Sequence, residues 1–490
     1  MTASPLPALA LAPAALAVAL IPLSRRRPAL REAWSVLAAL AQTGLVAALV
    51  PAALAGAPLR AEGLALVPGV PLAFAGDALG VLFALVASAL WAATTVYSIG
   101  YTRALADPAQ TRYFACFALC LLATVGLALA ANFLTFLLCF ELLTVATYPL
   151  VVHTGTAEAH RAGRIYLVYT LGGGAALLAA VVGTATLAGR LDFVPGGILR
   201  PDAASVPVLR GLVLLAVLGC GVKAALVPLH TWLPVAMVAP TPVSALLHAV
   251  AVVKAGVFGL ARVAGFVVGP ETLAALGADT ALAGVAAATV VLGSLAALAQ
   301  DNLKRLLAFS TISHLSYVVL GVALGTPGAG AGALLHLASH AVLKITLFFC
   351  AGALHVTAHV ERVSELDGVG RRMPLTMGAF ALSGFLLAGL PPGAAFVSKW
   401  RLLEGAATAS AWAAVGALLL SGLLNLAYVA PIVVRAFGAP ASGPRREAPL
   451  TLLLPLLATA AAGLLLGLAP DGPVPLLGLA VTAAGAAWGR

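Results

Sequence analysis

Nearly every stretch of this chain is an apolar run about twenty residues long, the length a helix needs to cross a bilayer. Ala78–Gly100, ALGVLFALVASALWAATTVYSIG, is typical. The chain is 62% hydrophobic and 9% charged, with a mean hydropathy of +1.07. A soluble domain carries about 25% charged residues. The sequence therefore describes a polytopic membrane protein. Strand signals are absent, and in lipid every backbone group must find an internal partner, so the expected fold class is all-α. No soluble segment is long enough to hold its own core. Redox or nucleotide chemistry would come from other subunits, and the chain is expected to carry no cofactor, metal or catalytic site of its own.

Hydropathy divides the chain into about 14 spans. They run Pro5–Leu23, Glu32–Ala55, Ala78–Gly100, Arg112–Ala130, Asn132–Val152, Arg164–Ala188, Leu209–Val227 and Thr241–Phe266. The second half continues with Thr280–Ala299, Leu303–Gly325, Ala331–Val356, Pro374–Leu403, Thr408–Arg435 and Leu450–Leu468. The apolar tail, residues 473–488, is short for a span. The net charge of +10 does not indicate a nucleic-acid partner, because the arginines lie in short loops between spans. Sixteen Lys and Arg residues fall in one set of alternate loops and seven in the other, the latter including Arg60, Arg262, Arg401 and Arg490. The positive-inside rule then places the first set in the cytoplasm, with both termini outside a cell inner (plasma) membrane. Arg25, Arg26 and Arg27 follow the first apolar run instead of preceding it, which argues for a retained span and against a cleaved signal. The five cysteines lie in apolar runs without CxxC spacing and read as structural.

Lysine is scarce, and its placement is the second constraint. There are five, and Lys223, Lys254, Lys344 and Lys399 lie inside apolar spans, leaving Lys304 as the one ordinary loop lysine. A charge at the bilayer centre costs about 2.5–3.5 kcal/mol. Four unpaired ones would cost on the order of 10–14 kcal/mol. An intramembrane ionisable group marks an ion or proton pathway by default. Glu141, in FLTFLLCFELLTVATYPLV, is the acid in the middle of an apolar run. Its ordinary reading is a buried neutral carboxyl; its functional reading is a partner to Lys223, each adjusting the other's protonation. His336, His340 and Lys344 fall at i, i+4 and i+8, on one helix face. A lysine there would repel a metal, so an exchangeable relay suits them better. His230, His248 and His314 are further candidates for that relay, with a helix cap as the competing reading for His230. His153, His160, His355 and His359 sit at span ends and read as interface residues. Asp301 is expected to favour a helix N-terminus.

Two spans are interrupted by proline. VPLHTWLPVAMVAPTP follows Lys223, and Pro391 and Pro392 precede Lys399 in AGLPPGAAFVSKW. Broken helices at membrane depth line cavities, and a pair in corresponding positions points to inverted repeats. The breaks lie five spans apart, and an odd unit inverts topology. The expected division is an N-terminal segment (1–111), a first five-helix repeat (112–266), a second (267–436) and a C-terminal helix with its tail (437–490).

VPLHTWLPVAMVAPTPVSALLHAVAVVKAGVFGLAR, DNLKRLLAFSTISHLSYVVLG, LLHLASHAVLKITLFFCAGAL and GLPPGAAFVSKW resemble the signature of the antiporter-like proton-channel family. That family includes the large membrane subunits of respiratory complex I, Mrp-type cation/proton antiporter subunits and membrane subunits of energy-converting hydrogenases. The resemblance spans roughly Tyr113 to Tyr428. It implies 14 helices, inverted five-helix repeats with broken seventh and twelfth helices, and a proton path along the membrane midplane. It implies that Glu141 pairs with Lys223, with Lys254 and Lys399 continuing the path. Lys399 stands where one complex I type has an acid, which favours the D-type Mrp subunit or a hydrogenase subunit. The expected function is proton translocation within a hetero-oligomeric membrane complex exchanging H+ for Na+ or K+. The alternatives are a pumping subunit of an NADH:quinone oxidoreductase or hydrogenase, an energising partner of another solute uptake system, and a haem-binding anchor.

Overall fold

The structure is a computed structural model, describing residues 2–440, 443–472 and 474–489. Met1, Pro473 and Arg490 lie outside the described residues. The spanning helices are α1 (Leu6–Leu23), α2 (Pro28–Leu54), α3 (Ala78–Ala104), α4 (Gln110–Ala128), α5 (Phe133–Val151), α6 (Ala157–Ala188), α7 (Val206–Ala224) and α8 (Thr241–Val267). They continue with α9 (Ala278–Leu298), α10 (Leu303–Ala323), α11 (Pro327–Ala358), α13 (Trp412–Gly438) and α14 (Leu450–Leu468). The twelfth is split into α12a (Pro374–Ala388) and α12b (Ala394–Thr408). The tail forms α15 (Leu476–Trp488). Its 13 residues reach only about 20 Å, and it packs against α3 and α11 instead of crossing alone.

The helix starts are written in the sequence. Asp77, Asn132, Thr156, Asn302 and Thr326 each accept a backbone N–H three residues on, satisfying a donor that a helix start otherwise leaves free. Asn302, and not Asp301, caps α10. Asp301 instead accepts the Ser364 N–H and hydroxyl, both at 2.9 Å, tying two loops together. Those donors hold its carboxyl below the usual aspartate range because they favour the charged form.

The expectation that strands are absent fails in one place. Leu59–Val67 and Val70–Ala75 form an antiparallel hairpin between α2 and α3, and Thr2–Ala3 adds a short parallel strand. The hairpin turns at Pro68 and Gly69, where Gly69 takes a positive φ. It lies off the ends of the helices, where water can satisfy its open edge.

Burial is uneven. α8 and α10 are almost wholly enclosed, α3 and α11 largely so, while α1, α13 and α14 keep most of their surface outward. The fourfold centre α3, α8, α10 and α11 is thus where charged groups are furthest from lipid. Arg262 belongs to it. Expected in an outer loop, it is fully buried in α8 and paired with Asp77 at 2.5 and 2.8 Å. Glycines let α11 reach its neighbour. A Cβ at Gly332 would stand 2.7 Å from the Leu402 nitrogen of α12b. Gly332→Leu is therefore expected to cost about 1–3 kcal/mol by overpacking, read as a lower midpoint for loss of monodisperse protein on heating in detergent.

Candidate functional site: a buried chain of lysines and histidines

Both broken helices put a lysine at the break. α7 stops at Ala224, and Ala225 turns left-handed at φ 55°. Its last carbonyls are not left bare: Leu226 N–H donates to Gly221 O, and the Trp232 indole donates to Val222 O at 2.8 Å. Lys223 sits in this last turn, where the negative end of the helix dipole favours an ammonium. α12a stops at Ala388, with Gly389 at φ 108°. Lys399, from the far side of the break, donates back to the free Ala388 carbonyl at 2.8 Å. The sequence placed the breaks; the reciprocal use of lysine became visible only in the fold.

Lys223, Lys254 and Lys344 have no exposed surface and Lys399 has 9%. Lys223 donates to the Phe140 carbonyl and lies 3.4 Å from the centre of the Phe140 ring. Glu141, the next residue, interacts with it through space without an ion-pair contact. The expected direct pair is thus near but not closed. Gly174 of α6 leaves room for the carboxylate: a Cβ there would stand 2.6 Å from Glu141 Cδ. Among the described residues no hydrogen bond links Lys223 to Lys254.

The second half is joined by hydrogen bonds at every step but one. Lys254 Nζ lies 2.9 Å from His340 Nδ1 and donates to Leu337 O at 2.8 Å. The His340 and His314 rings are 5.6 Å apart. His314 Nδ1 bonds His336 Nε2 at 3.2 Å, and His336 Nδ1 bonds Ser398 Oγ at 2.9 Å. Ser398 precedes Lys399, whose ammonium is 5.1 Å from the Tyr317 ring centre. Lys344, one turn beyond His340 on α11, makes a separate line through Ser310 Oγ at 2.8 Å to Tyr428 at 2.7 Å, and on to Asn425. His340 Nε2, His314 Nε2 and Glu141 Oε1 are buried without a protein partner. Buried polar atoms of this kind are satisfied by internal water. Bases hydrogen-bonded in this way can hand a proton along by tautomer exchange, and the step from His340 to His314 takes a ring rotation or a bridging water.

His248 and His230 stand apart. His248 lies in a π-helical turn, Leu246–Val250, six residues before Lys254, and its ring faces Phe348 at 4.9 Å. Neither of its nitrogens has a protein partner. His230 lies in the α7 break beside Phe309, and its carbonyl accepts the Leu233 N–H. Its ring does not cap the short helix that follows: that helix, Trp232–Val235, has no side-chain cap, and His230 Nδ1 has no protein partner.

Three residues depart from expectation. Lys304 is no loop lysine: it lies in the first turn of α10 and donates to Ala239 O at 2.9 Å. His153 is not an open interface residue but is buried against Asp107 at 2.6 Å. Ser398 joins the series only in the fold, where it bonds His336, and its place beside Lys399 in VSKW is the one signal the sequence carries for it. The Asp77–Arg262 pair was hidden because both residues sit at the ends of apolar runs, where charges are ordinary.

Residues 130–424 match the family described as NADH:quinone oxidoreductase/Mrp antiporter, TM. The chain is 35% identical to NADH-quinone oxidoreductase subunit N of Desulforudis audaxviator over 73% of its own length and 71% of that protein. It is 33% identical to subunit L of Mycobacterium tuberculosis over 78% of its length, but spans only 60% of that longer protein. Among solved structures, a chain of the archaeal membrane-bound sulfane sulfur reductase superimposes with a TM-score of 0.88 at 24% identity, covering 99% of this chain and 98% of that one. A chain of the Mrp complex from Dietzia superimposes with 0.82 at 22% identity, covering 99% and 97%. At those identities the superpositions establish the fold alone.

Proposed function

The chain belongs to the NADH:quinone oxidoreductase/Mrp antiporter family of membrane subunits, and from that premise we propose that it carries protons through the series Glu141, Lys223, Lys254, Lys344 and Lys399. The observation that carries this reading is the run Lys254–His340–His314–His336–Ser398, hydrogen-bonded except for the ring contact between His340 and His314, and enclosed at the centre of the bundle. Two basic nitrogens at 2.9 Å share one proton between them, and which holds it depends on the charges nearby. A charge arriving at Glu141 or Lys223 therefore changes the protonation that Lys254 and His340 prefer. Each proton moved across the membrane exchanges about 2.3 kcal/mol per 100 mV with the potential. The five-helix repeats at 112–266 and 267–436, with both termini outside the cytoplasm, complete the reading.

The protein works beside other membrane subunits, as its relatives do. For the parent complex, an Mrp-type cation/H+ antiporter is the first reading, supported by a lysine and not an acid at position 399. A redox-driven pump is the second, supported by the likeness to subunit N and to the sulfane sulfur reductase. Purification of the native complex in mild detergent, followed by mass spectrometry, separates them. The antiporter reading requires only small hydrophobic subunits alongside this chain. Co-purifying iron–sulfur or flavin proteins would overturn it in favour of the pump.

A further inference from the structure

One face of α11 continues beyond the buried series. His336, His340, Lys344, Phe348, Ala351 and His355 follow at steps of three and four, within about a third of the helix circumference. The last two residues line a cavity of about 30 Å³ closed on its other sides by Tyr101 of α3, Thr241 at the start of α8, Lys304 of α10 and Glu361. That is room for two waters, at about 10–15 Å³ each. Leu303, Val360 and Ala351 share its lining with these polar groups, and it reaches solvent. His355 Nδ1 bonds Glu361 at 2.8 Å, and the two side chains are 35% and 53% exposed. Tyr101 OH lies 3.3 Å from Thr241 Oγ1, and Lys304 is held on Ala239 O. One turn further along the same face of α11 stands Phe348, with Phe349 beside it. Phe349 stacks on Tyr97 at 4.1 Å and its carbonyl takes the Tyr97 hydroxyl. Phe348 lies against His248, the unpartnered histidine of the π-turn.

We propose that this cavity is the aqueous mouth by which protons reach His248 and Lys344, with Phe348 and Phe349 as its inner closure. The inference rests on the proton-path reading above and names its entrance. The chemistry selects protons over metal cations. A metal cation lodged there would meet the like charge of the Lys304 ammonium. A proton instead exchanges among water, His355 and Glu361 without a cation lodging there. The mouth lies at the end of the bundle shared with Arg103, Arg362 and Arg435, and it gives the π-turn of α8 a role. That turn displaces the helix next to His248, as such turns do at working sites.

The test is Ala351→Cys in the complete complex in proteoliposomes, treated with a membrane-impermeant, positively charged thiosulfonate. Each preparation is its own control, and wild type treated in parallel corrects for the five native cysteines. Modification, confirmed by mass, is expected to cut proton translocation at least fivefold and to be reversed by a thiol. Full labelling with no change in rate overturns the mouth, as does failure to label from either face of the membrane. Phe348→Ala is a second measurement, expected to raise passive proton leak; an unchanged leak overturns the closure. Lys344→Met separates this inference from the one beneath it. If Lys344→Met translocates normally, the proton path itself is wrong and the mouth falls with it. If Lys344→Met is inactive while modified Ala351→Cys is not, only the mouth is wrong.

Discussion

Lys254→Met is expected to lower proton translocation by the assembled complex by about 100-fold or more, with assembly intact. The lysine is fully buried and makes two contacts, to His340 Nδ1 and Leu337 O. Methionine fills nearly the same volume, so packing changes little. Removing a buried charge and replacing it with an apolar group is often neutral for stability. What disappears is a positioned proton donor, and such groups are worth roughly 10²–10⁴ in rate. Lys254 also stands on the helix between two regions: α8 packs on the Lys223 backbone at Gly256, while Lys254 itself bonds His340 on the other side. Proton flux measured with a pH-sensitive dye inside proteoliposomes reads the effect. Wild-type flux from a fully assembled Lys254→Met complex would remove lysine from the path.

Asp77→Asn is expected to give the largest loss of stability of any single change named here, about 3–5 kcal/mol. Asparagine is as good an N-cap as aspartate, so the bond to Gly80 N–H at 2.7 Å survives and only the charge is lost. That leaves the Arg262 guanidinium fully buried with no counter-charge, among the rings of Phe193, Phe258 and Phe266 at 5.0–5.2 Å. Arg262→Met is expected to cost less, about 1.5–3 kcal/mol, because the carboxylate left behind is 25% exposed and keeps its cap. The double variant should recover much of the loss from Asp77→Asn, as coupled sites do. Heating in detergent, followed by size exclusion, ranks the three. Equal stability of Asp77→Asn and wild type would show the pair to be idle.

The long elements were legible because each depends on a local rule. Spans follow from apolar length, and breaks from Pro228, Pro234, Pro391 and Pro392. The hairpin leaves little trace in the sequence because Leu59–Val67 and Val70–Ala75 are rich in Ala and Leu, carry Gly63 and Pro71 inside them, and do not alternate cleanly. The site was half legible. Charged residues in apolar runs stand out, so the lysines and Glu141 could be listed, but which of them touch is decided by packing between helices distant in sequence. The contact of Lys254 with His340 crosses 86 positions and that of Lys344 with Ser310 crosses 34. The π-turn at His248 has no sequence signature at all, since it differs from an α-turn by one residue of register.

Three of the four lysines donate to a main-chain carbonyl: Lys223 to Phe140, Lys254 to Leu337 and Lys399 to Ala388. Every residue type carries that oxygen, so half of each contact is independent of the genetic code. Alanine scanning of these helices would find the lysines and pass over their acceptors. Sequence drift at positions 140, 337 and 388 is likewise free to change side chains without removing the acceptor, provided the helix keeps its line. Weakening those oxygens takes backbone chemistry, an amide replaced by an ester at the following residue, and not a codon.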